Sequence, residues 1–128
     1  MAAKKRVLLT GASGSMGGEA FKELLRRRDK NDIVLILRPS KPNREAFSKY
    51  DGQPGVTIVW GDLCKPDDVL KAVNGVDYVL HPAALIAPEA DSKPNQCRMI
   101  NFGGTQNIIA AIKKQPDNGE NVHLVYIS

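Results

Sequence analysis

The stretch RVLLTGASGSMGGEAFKELLRRR, residues 6–28, decides the fold of this chain. Its first five residues form a mostly apolar run of the length of a buried strand, and a glycine-rich turn follows directly. Beyond the turn, apolar side chains recur at helical spacing at Met16, Ala20, Phe21, Leu24 and Leu25. We therefore expect a strand over residues 6–10, a tight turn, and an amphipathic helix over residues 15–28.

The glycines of the turn are spaced as GxxGxxG, at Gly11, Gly14 and Gly17. The first permits a tight turn, the second lets a pyrophosphate approach the backbone, and the third lets the helix pack closely on the strand. The N-terminus of the helix directs free N–H groups and its positive dipole end at the phosphates. The sequence therefore predicts the pyrophosphate-binding turn of a Rossmann-type dinucleotide domain, formed by Gly11, Ser13, Gly14, Ser15, Met16 and Gly17. A turn that is rich in glycine only for packing is the alternative.

The remainder of the chain alternates apolar runs with helical patterns. The runs predict four further strands, at residues 33–37, 56–60, 76–80 and 121–127. The segments between them predict helices at residues 44–50, 66–73 and 96–114, with loops at residues 51–55 and 82–94. This alternation implies βαβ units with helices on both faces of the sheet. The predicted fold class is α/β, a doubly wound parallel sheet (Rossmann) of about five strands, in one domain over residues 1–128.

Composition and charge limit the function classes. Of the 128 residues, 42% are hydrophobic and 25% charged, as in ordinary globular proteins. No apolar run approaches the ~20 residues that cross a membrane, and no signal-peptide pattern opens the chain, so we expect a cytoplasmic protein with no membrane partner. The net charge is +4, but the only dense basic run is residues 26–28, which favours no nucleic-acid partner. The two cysteines and two histidines lack metal-site spacing, so no metal is predicted.

The residues after the second predicted strand indicate the type of cofactor. NAD-selective domains carry an acidic residue there that binds the ribose hydroxyls, whereas this chain has Arg38. An arginine clamps a 2′-phosphate or stacks on the adenine, and Ser40 and Lys41 (or Arg44) follow as further donors. Asp32 lies before the strand, at the wrong end to serve as the acidic residue. We therefore predict NADP as the cofactor, with NAD as the alternative; an arginine that is merely exposed at a strand end is the structural alternative.

Several motifs, in order along the chain, resemble the extended branch of the short-chain dehydrogenase/reductase superfamily, the NAD(P)-dependent epimerases, dehydratases and reductases. These motifs are Thr10–Gly17 (TGxxGxxG), Gly61-Asp62-Leu63, His81-Pro82-Ala83-Ala84, Asn101–Asn107 (NxxGTxN) and Val125-Tyr126-Ile127-Ser128. The resemblance implies that Asp62 accepts a hydrogen bond from the adenine amino group and that Leu63 packs on the adenine ring. It implies a cofactor channel lined by Pro82, Ala83, Ala84, Asn101 and Ser128.

These assignments have structural alternatives. Asp62 is also suited to cap the following helix, and residues 82–84 are suited to form a plain turn. Asn101 is equally suited to cap or pack within its helix. Asn107 is expected to be a structural hydrogen-bonding residue rather than a cofactor ligand.

The resemblance implies catalysis by a Ser/Thr, a Tyr and a Lys, the last two spaced as YxxxK, with the tyrosine as a tuned general acid–base. No YxxxK occurs in the sequence, so no catalytic residue is assigned. We expect the chain to be the N-terminal cofactor part of a larger oxidoreductase, epimerase or dehydratase that transfers a hydride on a small alcohol, carbonyl or nucleotide-sugar substrate. The substrate would bind a C-terminal part, and the resemblance is compatible with a homodimer. A non-catalytic NADP-binding sensor or scaffold of the same fold is the alternative.

Overall fold

The computed structural model describes residues 4–82 and 104–127. In this part the elements are, in order, β1 (Lys5–Leu9), α1 (Ser15–Arg26), β2 (Asn31–Leu37), α2 (Lys41–Phe47), β3 (Val56–Trp60), α3 (Pro66–Val73), β4 (Tyr78–Pro82), α4 (Gly104–Lys113) and β5 (His123–Ile127), with 3-10 turns at Ser48–Tyr50 and Pro116–Gly119. The expected loop beyond residue 82 and the start of the expected last helix lie outside the described residues. None of the described helices has the length and apolar character that crossing a membrane requires.

The five strands form one parallel sheet in the order β3-β2-β1-β4-β5. β1 is central: Val7 is in register with Ile33 of β2 on one side and with Tyr78 of β4 on the other. The chain runs outward from β1 to β3 and then returns to the other side of β1, which creates a switch point between β1 and β4. Ligands of such sheets bind there, beyond the carboxyl ends of the strands. The predicted doubly wound α/β fold is confirmed.

Two apolar clusters cover the two faces of the sheet. Successive residues of β1 alternate between them, because Leu9 joins the cluster that contains α1, and Leu8 joins the cluster that contains α3 and α4. Phe21 of α1 is buried in the first cluster and Ile108 of α4 in the second. Full burial of one such side chain stabilises the fold by ~1.5–3 kcal/mol. Helices therefore cover both faces of the central strands, as their continuous apolar character predicts.

Several element boundaries differ from the expectations, including the start of β2 at Asn31 and that of β5 at His123. α1 ends two residues early at Arg26, α2 begins three residues early at Lys41, and β4 begins two residues late at Tyr78. The early start of α2 has a local cause, because the Ser40 hydroxyl accepts a hydrogen bond from the Asn43 N–H at 3.3 Å and caps the helix. A polar residue that was expected only to bind phosphate thus also sets a helix boundary.

One expectation about burial is wrong. Met16 was expected on the apolar face of α1, but its side chain is 42% exposed, because α1 first packs closely on the preceding turn at Gly17. In the described part of the chain, β5 pairs with β4 alone, and its Val125 and Tyr126 side chains are 42% and 54% exposed.

Candidate dinucleotide-binding site

The glycine-rich turn joins the carboxyl end of β1 to α1. Gly11 has a φ of +69°, which other residues disfavour, and its carbonyl accepts a hydrogen bond from the Gly14 N–H at 3.0 Å. A Cβ at Gly17 would lie 1.8 Å from the Gly11 carbonyl oxygen, so only glycine fits there. These are the tight turn and the close helix packing that the spacing predicts.

Gly14 differs from Gly11 and Gly17 in conformation and packing. Its φ is −88°, and among the described residues a Cβ would meet only the Gly11 carbonyl oxygen, at an ordinary 3.5 Å. Neither backbone strain nor packing against the described residues therefore requires a glycine here. Gly14 is also the N-cap residue of α1 and supplies no side-chain acceptor for the first N–H groups of the helix. Those N–H groups, flanked by exposed Ser13 and Ser15, suit an anion.

Arg38 lies exposed just beyond the carboxyl end of β2. Its carbonyl accepts a hydrogen bond from Asn43 Nδ2 at 3.0 Å, and the same asparagine donates its N–H to Ser40, so the backbone of the segment is fixed. Across residues 4–82 and 104–127, no hydrogen bond or ion pair engages the Arg38 guanidinium. Asp32 is the second residue of β2 and lies at the opposite, amino end of the strand.

Lys41 and Arg44, the two basic residues of α2, differ in their contacts. Lys41 is exposed at the first position of α2. Arg44 places its guanidinium over the Trp60 ring, 4.9 Å from the ring centroid, and this cation–π contact joins α2 to the end of β3. Lys41 is therefore placed to add charge beside Arg38, whereas Arg44 has a structural contact.

The turn after β3 holds Asp62 by two hydrogen bonds. The Asp62 N–H donates to Asp68 Oδ2 at 3.0 Å, and Asp62 Oδ1 accepts the N–H of Cys64 at 2.8 Å. Glycine is required at Gly61 because a Cβ would lie 2.7 Å from the Asp68 side chain. Asp62 therefore closes its own turn, while the N-cap position of α3 belongs to Lys65. The contact of Asp68 was not predicted from the sequence, where the available signal is an acidic residue in the first turn of α3.

Cys64 lies in the turn between β3 and α3. Burial raises the pKa of its thiol, the Asp62 carboxylate raises it further, and the positive charge of Arg38 opposes both effects. Leu37, which precedes Arg38, is in register with Trp60, and the Leu37 carbonyl accepts the Gly61 N–H at 2.8 Å. Arg38 and Asp62 therefore follow the ends of two neighbouring strands. The two side chains assigned to the adenosine end of the cofactor lie in one region.

α4 packs against the same turn. Asn107 Nδ2 donates to the Leu63 carbonyl at 2.8 Å, and a Cβ at Gly104 would lie 3.3 Å from the Leu63 Cβ. Leu63 remains partly exposed. Asn107 thus makes the kind of structural hydrogen bond that the sequence predicts.

At the end of β4, His81 makes contacts that were not predicted from the sequence. Its ring is buried, with Nδ1 2.6 Å from Thr10 Oγ1 and Nε2 3.0 Å from Thr105 Oγ1. Burial lowers the pKa of His81, so the imidazole is neutral at pH 7. The sequence feature that could have indicated this buried contact is a histidine directly after the strand-like run of residues 76–80.

Of the residues predicted to line the cofactor channel, Pro82 lies in the described part of the chain. Pro82 is the buried last residue of β4. Ala83, Ala84, Asn101 and Ser128 lie outside the described residues. Because carboxyl ends of parallel strands share one edge of a sheet, the described candidates after β1, β2, β3 and β4 lie along the same edge.

The sequence matches the 3-beta hydroxysteroid dehydrogenase/isomerase family over residues 8–128. It is similar to the UDP-N-acetylglucosamine 4,6-dehydratase (inverting) of Campylobacter jejuni, with 33% identity over 109 residues, which cover 84% of this chain and 32% of that protein. The chain thus spans about a third of the length of this curated relative.

Two solved structures are similar to the fold. UDP-glucose 4-epimerase from Bifidobacterium longum, in complex with NAD+ and UDP, matches with a TM-score of 0.71 and 24% identity over 95% of this chain and 36% of that chain. The enzyme WbmH from Bordetella bronchiseptica, in complex with NAD+, matches with a TM-score of 0.63 and 26% identity over 88% of this chain and 36% of that chain.

The family match extends over nearly the whole chain and includes every motif after β1 that carries the resemblance. The predicted relationship to extended short-chain dehydrogenases/reductases, and the predicted Rossmann fold, are confirmed. On the sequence match and the architecture together, the chain belongs to the 3-beta hydroxysteroid dehydrogenase/isomerase family.

Proposed function

We propose that this chain binds a nicotinamide dinucleotide, with NADP preferred over NAD, across the carboxyl edge of its sheet. The observation that carries the proposal is Gly14, where neither the backbone conformation nor the packing of residues 4–82 and 104–127 requires a glycine. A pyrophosphate at this point would occupy the space of the absent side chain and accept hydrogen bonds from the first N–H groups of α1. Packing alone accounts for Gly17 but leaves Gly14 unexplained.

The adenosine end of the cofactor would lie over β2 and β3. Arg38 would bind the 2′-phosphate, and Asp62 would accept a hydrogen bond from the adenine amino group. The pairing of Leu37 with Trp60 and the hydrogen bond from the Gly61 N–H to the Leu37 carbonyl at 2.8 Å, which bring the ends of β2 and β3 together, support one shared binding region. Ser40 uses its oxygen to cap α2 and keeps its hydroxyl proton to donate to a phosphate.

Other residues would complete the site. Exposed Lys41 would add positive charge beside the 2′-phosphate, and partly exposed Leu63 would pack on the adenine ring. We assign the pyrophosphate contacts to Gly11, Ser13, Gly14, Ser15, Met16 and Gly17. We assign the nicotinamide half to Pro82, Ala83, Ala84, Asn101 and Ser128 on the resemblance alone.

The preference for NADP depends on the residue at the end of β2. An acidic side chain there would bind the ribose hydroxyls of NAD and repel a 2′-phosphate, whereas Arg38 attracts the phosphate. Asp32 is at the other end of the strand. The two solved structures described above hold NAD+, so NAD is the competing assignment.

For the whole protein we propose an oxidoreductase, epimerase or dehydratase in which the nicotinamide accepts or donates a hydride. The Campylobacter relative is named for a UDP-sugar, which favours a nucleotide sugar among the small alcohols and carbonyls considered. The chain described here would be the cofactor part, over residues 1–128. A cytoplasmic homodimer is proposed on the resemblance alone.

The cofactor assignment is tested by Arg38→Asp, with NADPH and NADH titrated against the purified protein by fluorescence. NADPH affinity should fall at least about tenfold, because hydrogen bonds to charged groups contribute ~1.5–3 kcal/mol. NADH affinity should change much less. Arg28→Asp makes the same charge change beyond the far end of α1 and should leave both affinities unaltered.

Equal losses for the two dinucleotides in Arg38→Asp would show that Arg38 does not read the 2′-phosphate. A wild-type protein that binds neither NADPH nor NADH would contradict the proposed function itself.

A further inference from the structure

Three elements meet at the buried imidazole of His81, which is 4% exposed. Its Nδ1 lies 2.6 Å from Oγ1 of Thr10, the residue that follows β1, and its Nε2 lies 3.0 Å from Oγ1 of Thr105 in the first turn of α4. The Tyr126 ring of β5 packs at an angle against the same imidazole, with 5.6 Å between centroids. One side chain of β4 therefore joins the ends of β1 and α4.

The contact crosses the switch point of the sheet. Backbone pairing between β1 and β4 runs on to Thr10, whose N–H donates to the Leu80 carbonyl at 3.0 Å. The next residue, Gly11, already has positive φ and starts the turn. The side-chain bond from His81 to Thr10 thus holds the residue from which the glycine-rich turn departs.

The chemistry of the three side chains suits a fixed connection. A neutral imidazole has one donor and one acceptor nitrogen, and each threonine hydroxyl donates or accepts, so both contacts form in either tautomer. Burial lowers the pKa of the ring and keeps it neutral near pH 7. Thr10 is almost fully buried, so its hydroxyl has little access to water as a replacement partner.

We propose that His81 is a positioning residue for the cofactor: by holding Thr10 against α4, it fixes the start of the glycine-rich turn in the orientation that receives the pyrophosphate. This inference rests on the proposed function. His81 acts through Thr10 and is not assigned a contact with the cofactor. Its loss should therefore weaken binding of the pyrophosphate and leave the adenosine end, held by Arg38 and Asp62, unaffected.

Two substitutions separate the contacts of the ring. In His81→Asn the side-chain amide lies near the position of Nδ1 and retains a partner for Thr10. In His81→Gln the amide lies near the position of Nε2 and retains a partner for Thr105 instead. We expect NADPH affinity to fall about tenfold in His81→Gln, equivalent to about 1.4 kcal/mol, and distinctly less in His81→Asn.

A second ligand distinguishes positioning from a general effect on folding. Adenosine 2′-monophosphate carries the adenine, the ribose and the 2′-phosphate but no pyrophosphate. Its affinity should be the same in wild type, His81→Asn and His81→Gln. If the wild-type protein prefers NADH, the comparison uses NADH with adenosine as the fragment.

The outcomes separate this inference from the proposed function. No binding of either dinucleotide to the wild type contradicts the proposed function. Binding by the wild type with equal NADPH affinities in both variants, or with parallel losses for NADPH and the fragment, contradicts the role of His81. If His81→Gln does not fold, Thr10→Val removes the same hydrogen bond from the threonine side and should give the same selective loss of NADPH affinity. Thr10→Ser keeps the hydroxyl and should bind NADPH like the wild type.

Discussion

Gly14 and Gly17 stand three residues apart in one turn, but the structure requires only one of them to be a glycine. At Gly17 a Cβ would lie 1.8 Å from the Gly11 carbonyl oxygen, a distance that no small shift accommodates. At Gly14 a Cβ would make an ordinary contact of 3.5 Å with the same oxygen. The spacing of the glycines is visible in the sequence, but this difference in packing is not.

The pair gives a matched test with alanine. Gly17→Ala should lower the free energy of unfolding by more than the ~1–3 kcal/mol typical of overpacking, because the obstacle is backbone. Gly14→Ala should change it by about 1 kcal/mol or less, as at other N-cap positions, but should abolish dinucleotide binding. Urea denaturation and NADPH titration measure the two effects. A Gly14→Ala protein that binds NADPH like wild type would remove the main support for a phosphate at this turn.

His81 makes stability depend on pH in a defined direction. Burial lowers the pKa of His81 below its ordinary value near 6.5, so the unfolded chain binds more protons in the interval between the two values. The free energy of unfolding should therefore fall as the pH drops through about 6.5 towards the folded value, and this group contributes no slope at higher pH.

The control is His81→Asn, which has no titrating ring. Its free energy of unfolding, measured in urea between about pH 5 and pH 8, should lack the His81 contribution. The difference in stability between wild type and variant should thus shrink on acidification. A difference that stays constant over this range would show that His81 titrates alike in both states.

α3 supplies an anchor for the turn that precedes it. Asp68, in the first turn of the helix, accepts the Asp62 N–H, and the bare backbone of Gly61 makes room for the Asp68 side chain. The helix thus fixes the residue assigned to the adenine. Asp67 lies in the same first turn of α3 but is exposed. Both carboxylates therefore interact favourably with the helix dipole, whereas Asp68 also accepts the hydrogen bond from the turn.

Asp68→Ala should lower the free energy of unfolding by ~1–3 kcal/mol, because the Asp62 N–H loses its partner. It should also weaken NADPH binding, since Asp62 is no longer held. Asp67→Ala removes an equivalent charge and should cost only ~0.3–1 kcal/mol, with unchanged affinity. Thermal unfolding and fluorescence titration check both variants. Equal effects of the two substitutions would mean that the helix dipole alone accounts for the stabilisation by Asp68.

Apolar patterning predicts the existence of the elements better than their ends. The strands at residues 33–37 and 56–60 were predicted nearly as observed, because continuous apolar runs are buried in the sheet centre. β4 begins late because Val76 packs in the core ahead of the strand, while the Asp77 carboxylate accepts the Arg6 N–H at 2.9 Å. This hydrogen bond joins residues 71 positions apart, so a local sequence pattern does not predict it.

The same limit applies to the candidate site. Gly11, Arg38 and Asp62 were predicted because each follows a strand in a parallel sheet, where position along the sequence determines position at the edge. The roles of His81 and Asp68 depend on partners from other elements, and the sequence pattern does not specify those partners. Met16 was misplaced because helical periodicity does not indicate where a helix begins to contact the sheet.

The sheet brings the ends of four strands to one edge, so a bound dinucleotide would connect segments that are far apart in the chain. A ligand that binds only the folded state stabilises it by about 2.7 kcal/mol at 100 times its dissociation constant. In a domain of this size each kcal/mol raises the Tm by about 3–5 °C. We therefore expect saturating NADPH to raise the Tm of the protein by roughly 10 °C, measured by differential scanning fluorimetry. Gly14→Ala should start near the wild-type Tm and show little rise, whereas an equal rise in this variant would place the dinucleotide away from the glycine-rich turn.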